Sequence, residues 1–212
     1  MPESYSQRNQ DLFVISVLNG KKNGTFLDFG CKSPIVINNT CLLEKNYNFS
    51  GLSFDIDAAE ISKWKQTKRN YKNAICGNLL ELDFEKILDN HYLSSNIDYF
   101  SFDLEPPLVT LEVLKKFPLN IYKFGVITFE HDFYRGFDTL QQSREIFIKN
   151  GYRKIKKDYM KKFETETQIW FSEDWWIHPE LVSIPDEFLD ETILDFTEQD
   201  LIDSGLGCFS YK

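Results

Sequence analysis

Two apolar runs that each end in an acid concentrate the chemistry of this chain. Thr25-Phe26-Leu27-Asp28-Phe29-Gly30-Cys31-Lys32-Ser33 and, a helix-length interval later, Gly51-Leu52-Ser53-Phe54-Asp55 read as strand, glycine turn, helix, strand, acid. That is the nucleoside-binding half of a doubly wound sheet. A glycine at residue 30 lets main chain approach a ligand with no side chain between, and a carboxylate at residue 55 can accept hydrogen bonds from ribose hydroxyls. Asp28, Gly30 and Asp55 are therefore candidate cofactor-binding residues, joined by Asn78 just beyond a third short apolar run. No Gly-x-Gly-x-x-Gly follows, since Gly30 is succeeded by Cys31, Lys32, Ser33, Pro34 and Ile35. A pyrophosphate thus has no cradle, and a cationic, phosphate-free nucleoside cofactor suits the turn better.

A second set of groups lies at the ends of later strands. Asp103 and Glu105 close one apolar run, and Glu130, His131 and Asp132 close the very apolar Phe124-Gly125-Val126-Ile127-Thr128-Phe129. Acids near helix N-termini are favourable by about 0.3–1 kcal/mol, which accounts for Asp57 and Asp83 as caps. It does not account for three consecutive ionisable groups after so apolar a strand, which are costly unless exposed or employed. Transfer of a group to a hydroxyl or amine needs a base for the acceptor proton, and imidazole titrates near neutral pH. His131 is accordingly the candidate general base, with Glu130 and Asp103 as its catalytic partners. Asp103, Glu130 and Asp132 also offer hard oxygen ligands for a divalent cation such as Mg²⁺. Of the other histidines, His91 ends a helix and reads as a surface residue. His178, in Glu173-Asp174-Trp175-Trp176-Ile177-His178-Pro179, belongs either to an acceptor pocket or to an aromatic plug over the sheet edge.

These residues need a scaffold, and the chain alternates apolar strands with amphipathic stretches as an α/β fold does. A leading helix at 11–18 precedes strands near 25–30, 51–56, 73–76, 98–104, 123–130, 152–157 and 167–172. Helices are expected at about 35–46, 58–69, 83–91, 107–117 and 138–150, the last stopped by Asn150-Gly151. Only a short loop around Lys161 and Lys162 separates the last two strands, so they should pair antiparallel. The expected layout is one domain over 1–212: leading helix and turn 1–24, core 25–178, and an acidic extension 179–212 carrying a docked helix. A dinucleotide dehydrogenase would want a crossover helix where this chain has its hairpin.

Net charge is −9. An acidic surface repels phosphates over a Debye length of about 8 Å, so neither nucleic acid nor membrane is expected as a partner. Cys31, Cys41, Cys76 and Cys208 show no C-x-x-C spacing and read as reduced thiols. No apolar run approaches the roughly 18 residues of a membrane span, and a soluble, cytoplasmic protein is the expectation.

The chain resembles the FkbM-type S-adenosylmethionine-dependent methyltransferases over roughly residues 10–180. The matching segments are Phe26 to Asp28 with Gly30, Asn39-Thr40-Cys41-Leu42-Leu43-Glu44-Lys45, Gly51 to Asp55, Tyr99-Phe100-Ser101-Phe102-Asp103-Leu104-Glu105, and Val126 to Asp132. The resemblance implies a Rossmann-like class I methyltransferase fold, a doubly wound, mainly parallel sheet finished by an antiparallel hairpin. It also implies S-adenosylmethionine as cofactor and O-methylation of a saccharide or other small hydroxylated acceptor. The family's second glycine is replaced by Lys32 and Ser33, its Asp-x-Glu-Gly by Asp103-Leu104-Glu105-Pro106-Pro107, and its ribose glutamate by Asp55. A non-catalytic nucleoside-binding or interaction module of the same fold is the alternative.

Overall fold

A computed structural model describes residues 2–91, 93–133, 139–156, 160, 162–163 and 172–190. Helix α1 (Gln10–Val17) leads into β1 (Thr25–Phe29), α2 (Cys41–Tyr47), β2 (Ser50–Asp55), α3 (Ala58–Lys63) and β3 (Ala74–Cys76). The second half comprises α4 (Phe84–Asn90), β4 (Asn96–Phe102), α5 (Pro107–Lys116), β5 (Lys123–Glu130), α6 (Thr139–Lys149), β6 (Arg153–Ile155), β7 (Glu173–Ile177) and β8 (Leu189–Asp190). All eight strands form one sheet in the order β3-β2-β1-β4-β5-β7-β6-β8. The first five are parallel, while β7 pairs antiparallel with both β5 and β6, as does β8 with β6. Strand order reverses between β1 and β4, which makes their carboxyl ends the switch point where ligands bind in open α/β sheets.

Period-two alternation builds the two faces. Leu27, Phe29, Phe100, Phe102, Ile127, Phe129 and Trp176 pack into the core under α4, α5 and α6, while Phe26, Tyr99, Val126 and Trp175 pack with Phe13 and Val14 of α1. Trp175 and Trp176 are thus interior residues on opposite faces of a central strand. Among the described residues they form neither the acceptor pocket nor the edge plug expected of them.

Several elements differ from expectation for local reasons. The helix expected from residue 35 starts at Cys41, because the Asn38 side chain donates to the Cys31 and Ser33 carbonyls (3.0 Å each) and accepts from Thr40 N–H, holding 31–40 as a loop. The helix expected over 58–69 gives way to a 3₁₀ turn at Trp64–Gln66. Pro106-Pro107 marks the start of α5, with Pro107 at a first-turn position where its missing N–H costs nothing. The strand expected at 167–172 is instead β7 at 173–177; residues 167–171 lie outside the described residues. The docked helix expected within 179–212 falls largely outside the described residues, which end at 190; residues 186–190 form a 3₁₀ turn and the edge strand β8.

Candidate functional site

The glycine turn after β1 is built by three strands. Gly30 and Cys31 N–H both donate to the Phe54 carbonyl (2.9 and 3.0 Å), and Asp103 N–H donates to the Phe29 carbonyl (3.0 Å). At Gly30, φ is +85° and an added Cβ would lie 1.7 Å from the Asp103 carbonyl oxygen. The backbone that approaches Gly30 is therefore the end of β4. The missing side chain thus lets the ends of β1 and β4 touch.

Asp55 ends β2 beside that turn. One carboxylate oxygen accepts from Lys32 N–H and the other from Asp57 N–H, both at 2.8 Å. Each oxygen keeps a second lone pair. The next side chain, Ile56, is apolar and 72% exposed. Asp57 and Asp83 cap α3 and α4 as expected, accepting from Ala59 N–H (2.7 Å) and Lys86 N–H (3.1 Å). Asn78 follows β3, but its side chain closes its own turn with Leu80 N–H and Glu81. Asp28 is buried under the 31–40 loop, accepting from Thr40 Oγ1 at 2.8 Å. Burial pushes its carboxyl up to about 6, against the opposing pull of Thr40 and Arg69. Asp28 thus supports the loop from beneath. Sequence reasoning missed Arg69, which it placed at the end of a helix over 58–69; the residue lies instead beyond the 3₁₀ turn, in the irregular link to β3.

The ends of β4, β5 and β7 gather carboxylates. Oxygens of Glu105, Glu130 and Asp132 lie within 4.8 Å of one another. Burial, then the neighbouring Asp103 carboxyl and the charges of Asp132 and Glu173, hold the Glu130 carboxyl far above its ordinary range. The neutral form of Glu130 is thereby favoured. The cation set expected from sequence is corrected in one member, since Glu105 stands where Asp103 was expected. Proximity of acids is all that supports Mg²⁺ here.

His131 is placed differently from its neighbours. Its ring is fully buried, its Nδ1 accepts from Phe133 N–H at 3.4 Å, and its Nε2 lies 4.0 Å from Asp174 Oδ1. Asp174 is held by a two-pronged pair from Arg144 of α6 (2.6 and 2.9 Å). Glu173, on the opposite face, accepts from Gln10 of α1 at 3.1 Å. His131 and Glu130 thus project to opposite faces of the sheet, and the expected base–carboxylate partnership is not formed. Arg144 was also missed, though a charge on the Leu140–Phe147 apolar stripe of α6 was its signal. His178 is corrected as well: β7 runs antiparallel, so it lies beside Gly125 at the opposite end of β5, packed edge-on against Tyr152. His91 is exposed at the end of α4, as expected.

Burial, reinforced by Arg144 and Lys154 and partly offset by Asp174, lowers the His131 pKa from 6.5 to about 3. A depressed histidine contributes stability that is complete above pH 6.5 and lost as pH falls toward 3. The stability difference between the protein and its His131→Leu variant should shrink by about 2 kcal/mol between pH 7.5 and 5. Urea midpoints at those two pH values measure it, and the difference cancels the opposite trend from Asp28. A flat difference would mean that the ring is solvated.

No protein-family model matches the chain, and no curated protein matches it. Among solved structures, an rRNA methylase from Streptococcus thermophilus is 15% identical over 78% of this chain and 90% of its own, with a TM-score of 0.44. A protein assigned as an rRNA-methylase from Clostridium thermocellum is 15% identical over 83% and 96%, TM-score 0.49. A precorrin-6y C5,15-methyltransferase from Geobacter metallireducens is 14% identical over 84% and 90%, TM-score 0.48. The strand order itself, with antiparallel β7 between β5 and β6, defines the Rossmann-like class I methyltransferase fold expected from the sequence. The FkbM resemblance stands on its quoted segments alone. The expectation that nucleic acid is excluded is corrected: the similar structures include an rRNA methylase and a protein assigned as one. No helix among the described residues is long and apolar enough to cross a membrane.

Proposed function

We propose that this chain is an S-adenosylmethionine-dependent methyltransferase. The observation that carries the reading is Asp55, locked at the end of β2 by the Lys32 N–H of the glycine turn, with lone pairs left for a ribose diol. Exposed Ile56 beside it suits the flat face of a base. When bound, the cofactor supplies an electrophilic methyl group on a sulfonium. The protein must hold an acceptor in line and take its proton. Asp103 and Glu130 are the half-buried acids at the ends of β4 and β5, next to the switch point. Burial favours the neutral form of Glu130, and Asp103 beside it is the carboxylate assigned to take the proton of an acceptor hydroxyl. His131, sealed behind the strand end, holds the β5 terminus against α6. The FkbM resemblance adds the acceptor, a hydroxyl of a saccharide or other small hydroxylated molecule.

Calorimetric titration with S-adenosylhomocysteine and, separately, with NAD tests the cofactor. Only the first should bind. Asp55→Ala should weaken it at least about tenfold, the loss of a charge-assisted hydrogen bond. Asp57→Ala should leave affinity unchanged while costing about 1 kcal/mol of stability as a lost helix cap. Equal effects on affinity, or tighter binding of NAD, would overturn the assignment.

A further inference from the structure

The loop at 31–40 carries the Lys32 N–H that fixes Asp55, yet little backbone bonding holds it. Its described backbone bonds are Cys31 N–H to the Phe54 carbonyl at one end, and Asn38 N–H to the Tyr5 carbonyl and Glu44 N–H to the Thr40 carbonyl at the other. Lys32 and Ile37 have φ of 41° and 52°, in a region that non-glycine and above all β-branched residues avoid. Something else must keep this loop in one shape. Side chains do so: Ser33 Oγ accepts from Ile35 and Val36 N–H, Asn38 ties both ends, and one guanidinium gathers Asn38, Thr40 and the Pro34 carbonyl.

Arg69 reaches in from the β2–β3 connection and is 4% exposed. Its Nε donates to Glu44 Oε2 of α2 (2.8 Å), one terminal nitrogen donates to the Pro34 carbonyl (3.0 Å) and Asn38 Oδ1 (2.7 Å), and the other donates to Thr40 Oγ1 (2.9 Å). Each contact is relayed onward. Thr40 donates to Asp28 and Asn38 to the Cys31 and Ser33 carbonyls. The guanidinium also lies 4.2 Å over the ring of Trp64, whose Nε1 donates to the Lys32 carbonyl at 3.3 Å. Glu44 completes the grip by accepting from Asn70 N–H at 2.8 Å. One planar fork thus reaches residues 31 to 34, 38 and 40 directly or through one intermediary.

We infer that Arg69 is a positioning residue for the nucleoside site, its fork holding the 31–40 loop so that Lys32 N–H and Asp55 stay in binding register. The inference rests on the cofactor reading proposed above. Arg69 touches no ligand-facing group itself; it raises the fraction of molecules whose loop is competent to bind, and apparent affinity scales with that fraction. Lysine keeps the positive charge against Glu44 but cannot reproduce several fixed donors or the stack on Trp64.

Arg69→Lys is therefore the informative variant, read by two measurements on the full chain. In ligand-free protein, amide hydrogen exchange should accelerate about tenfold across 31–40 with β4 and β5 unchanged, and S-adenosylhomocysteine should bind about tenfold more weakly. If Arg69→Lys fails to fold, Glu44→Gln, which loosens the same fork from the other side, should give the same localised pair of changes. Unchanged exchange in the loop would overturn the clamp. Faster loop exchange with unchanged affinity would overturn its link to binding. A wild-type chain that binds no S-adenosylhomocysteine would instead overturn the cofactor reading, while the exchange data still decide whether the guanidinium holds the loop.

Discussion

Asp103→Asn is expected to lower turnover by about 10²- to 10⁴-fold while leaving S-adenosylhomocysteine affinity close to wild type, as removal of a general base does. Asparagine matches aspartate in shape and leaves the packing beside Glu130 unchanged. What it cannot do is take a proton. Glu130→Gln should cost less, because glutamine keeps the shape and the neutral charge that burial favours at that position. Release of S-adenosylhomocysteine across a panel of hydroxylated acceptors measures both variants, with His131→Leu as the third arm. The buried ring predicts near wild-type turnover for that variant. Full activity in Asp103→Asn together with its loss in His131→Leu would return the base to His131 and require the β5 end to open. Turnover abolished by EDTA and restored by Mg²⁺ would move Glu105, Glu130 and Asp132 into a cation site.

Much of this arrangement was legible in the chain because period-two apolar runs and glycine turns are local signals. β1, β2, β4 and β5 fall within two residues of their expected positions at each end. The errors have non-local causes. Ile35-Val36-Ile37 resembles the buried face of a helix, yet these side chains are 39%, 66% and 60% exposed, because Asn38 captures the backbone carbonyls that a helix would have used. β7 was hidden because Glu173 and Asp174 interrupt its apolar pattern, and the partners that make their burial tolerable, Gln10 and Arg144, are distant in sequence. The opposition of Glu130 and His131 follows from strand parity and was readable. Grouping the three ionisable residues as one cluster obscured it. Arg69 was beyond reach, since its importance lies in which loop carbonyls and hydroxyls fold around it.

Gly30→Val should cost on the order of 3–5 kcal/mol of stability, combining strain at positive φ with overpacking that backbone cannot relieve. The atom in the way is the Asp103 carbonyl oxygen at 1.7 Å, with the carbonyl carbon at 2.8 Å, so relief requires the ends of β1 and β4 to part. Gly30→Ala meets the same oxygen and should be nearly as harmful. Gly77→Ala is the control. Its added Cβ would meet only Leu82 methyl groups at 3.6 and 3.7 Å, and its urea midpoint should stay near wild type. Because Asp103 is carried on the backbone that Gly30 admits, any Gly30→Ala protein that remains folded should be impaired in turnover as well as in cofactor affinity. A Gly30→Ala protein with the wild-type urea midpoint and no S-adenosylhomocysteine binding would overturn this account, and would mean that the missing side chain clears space for the cofactor rather than for the end of β4.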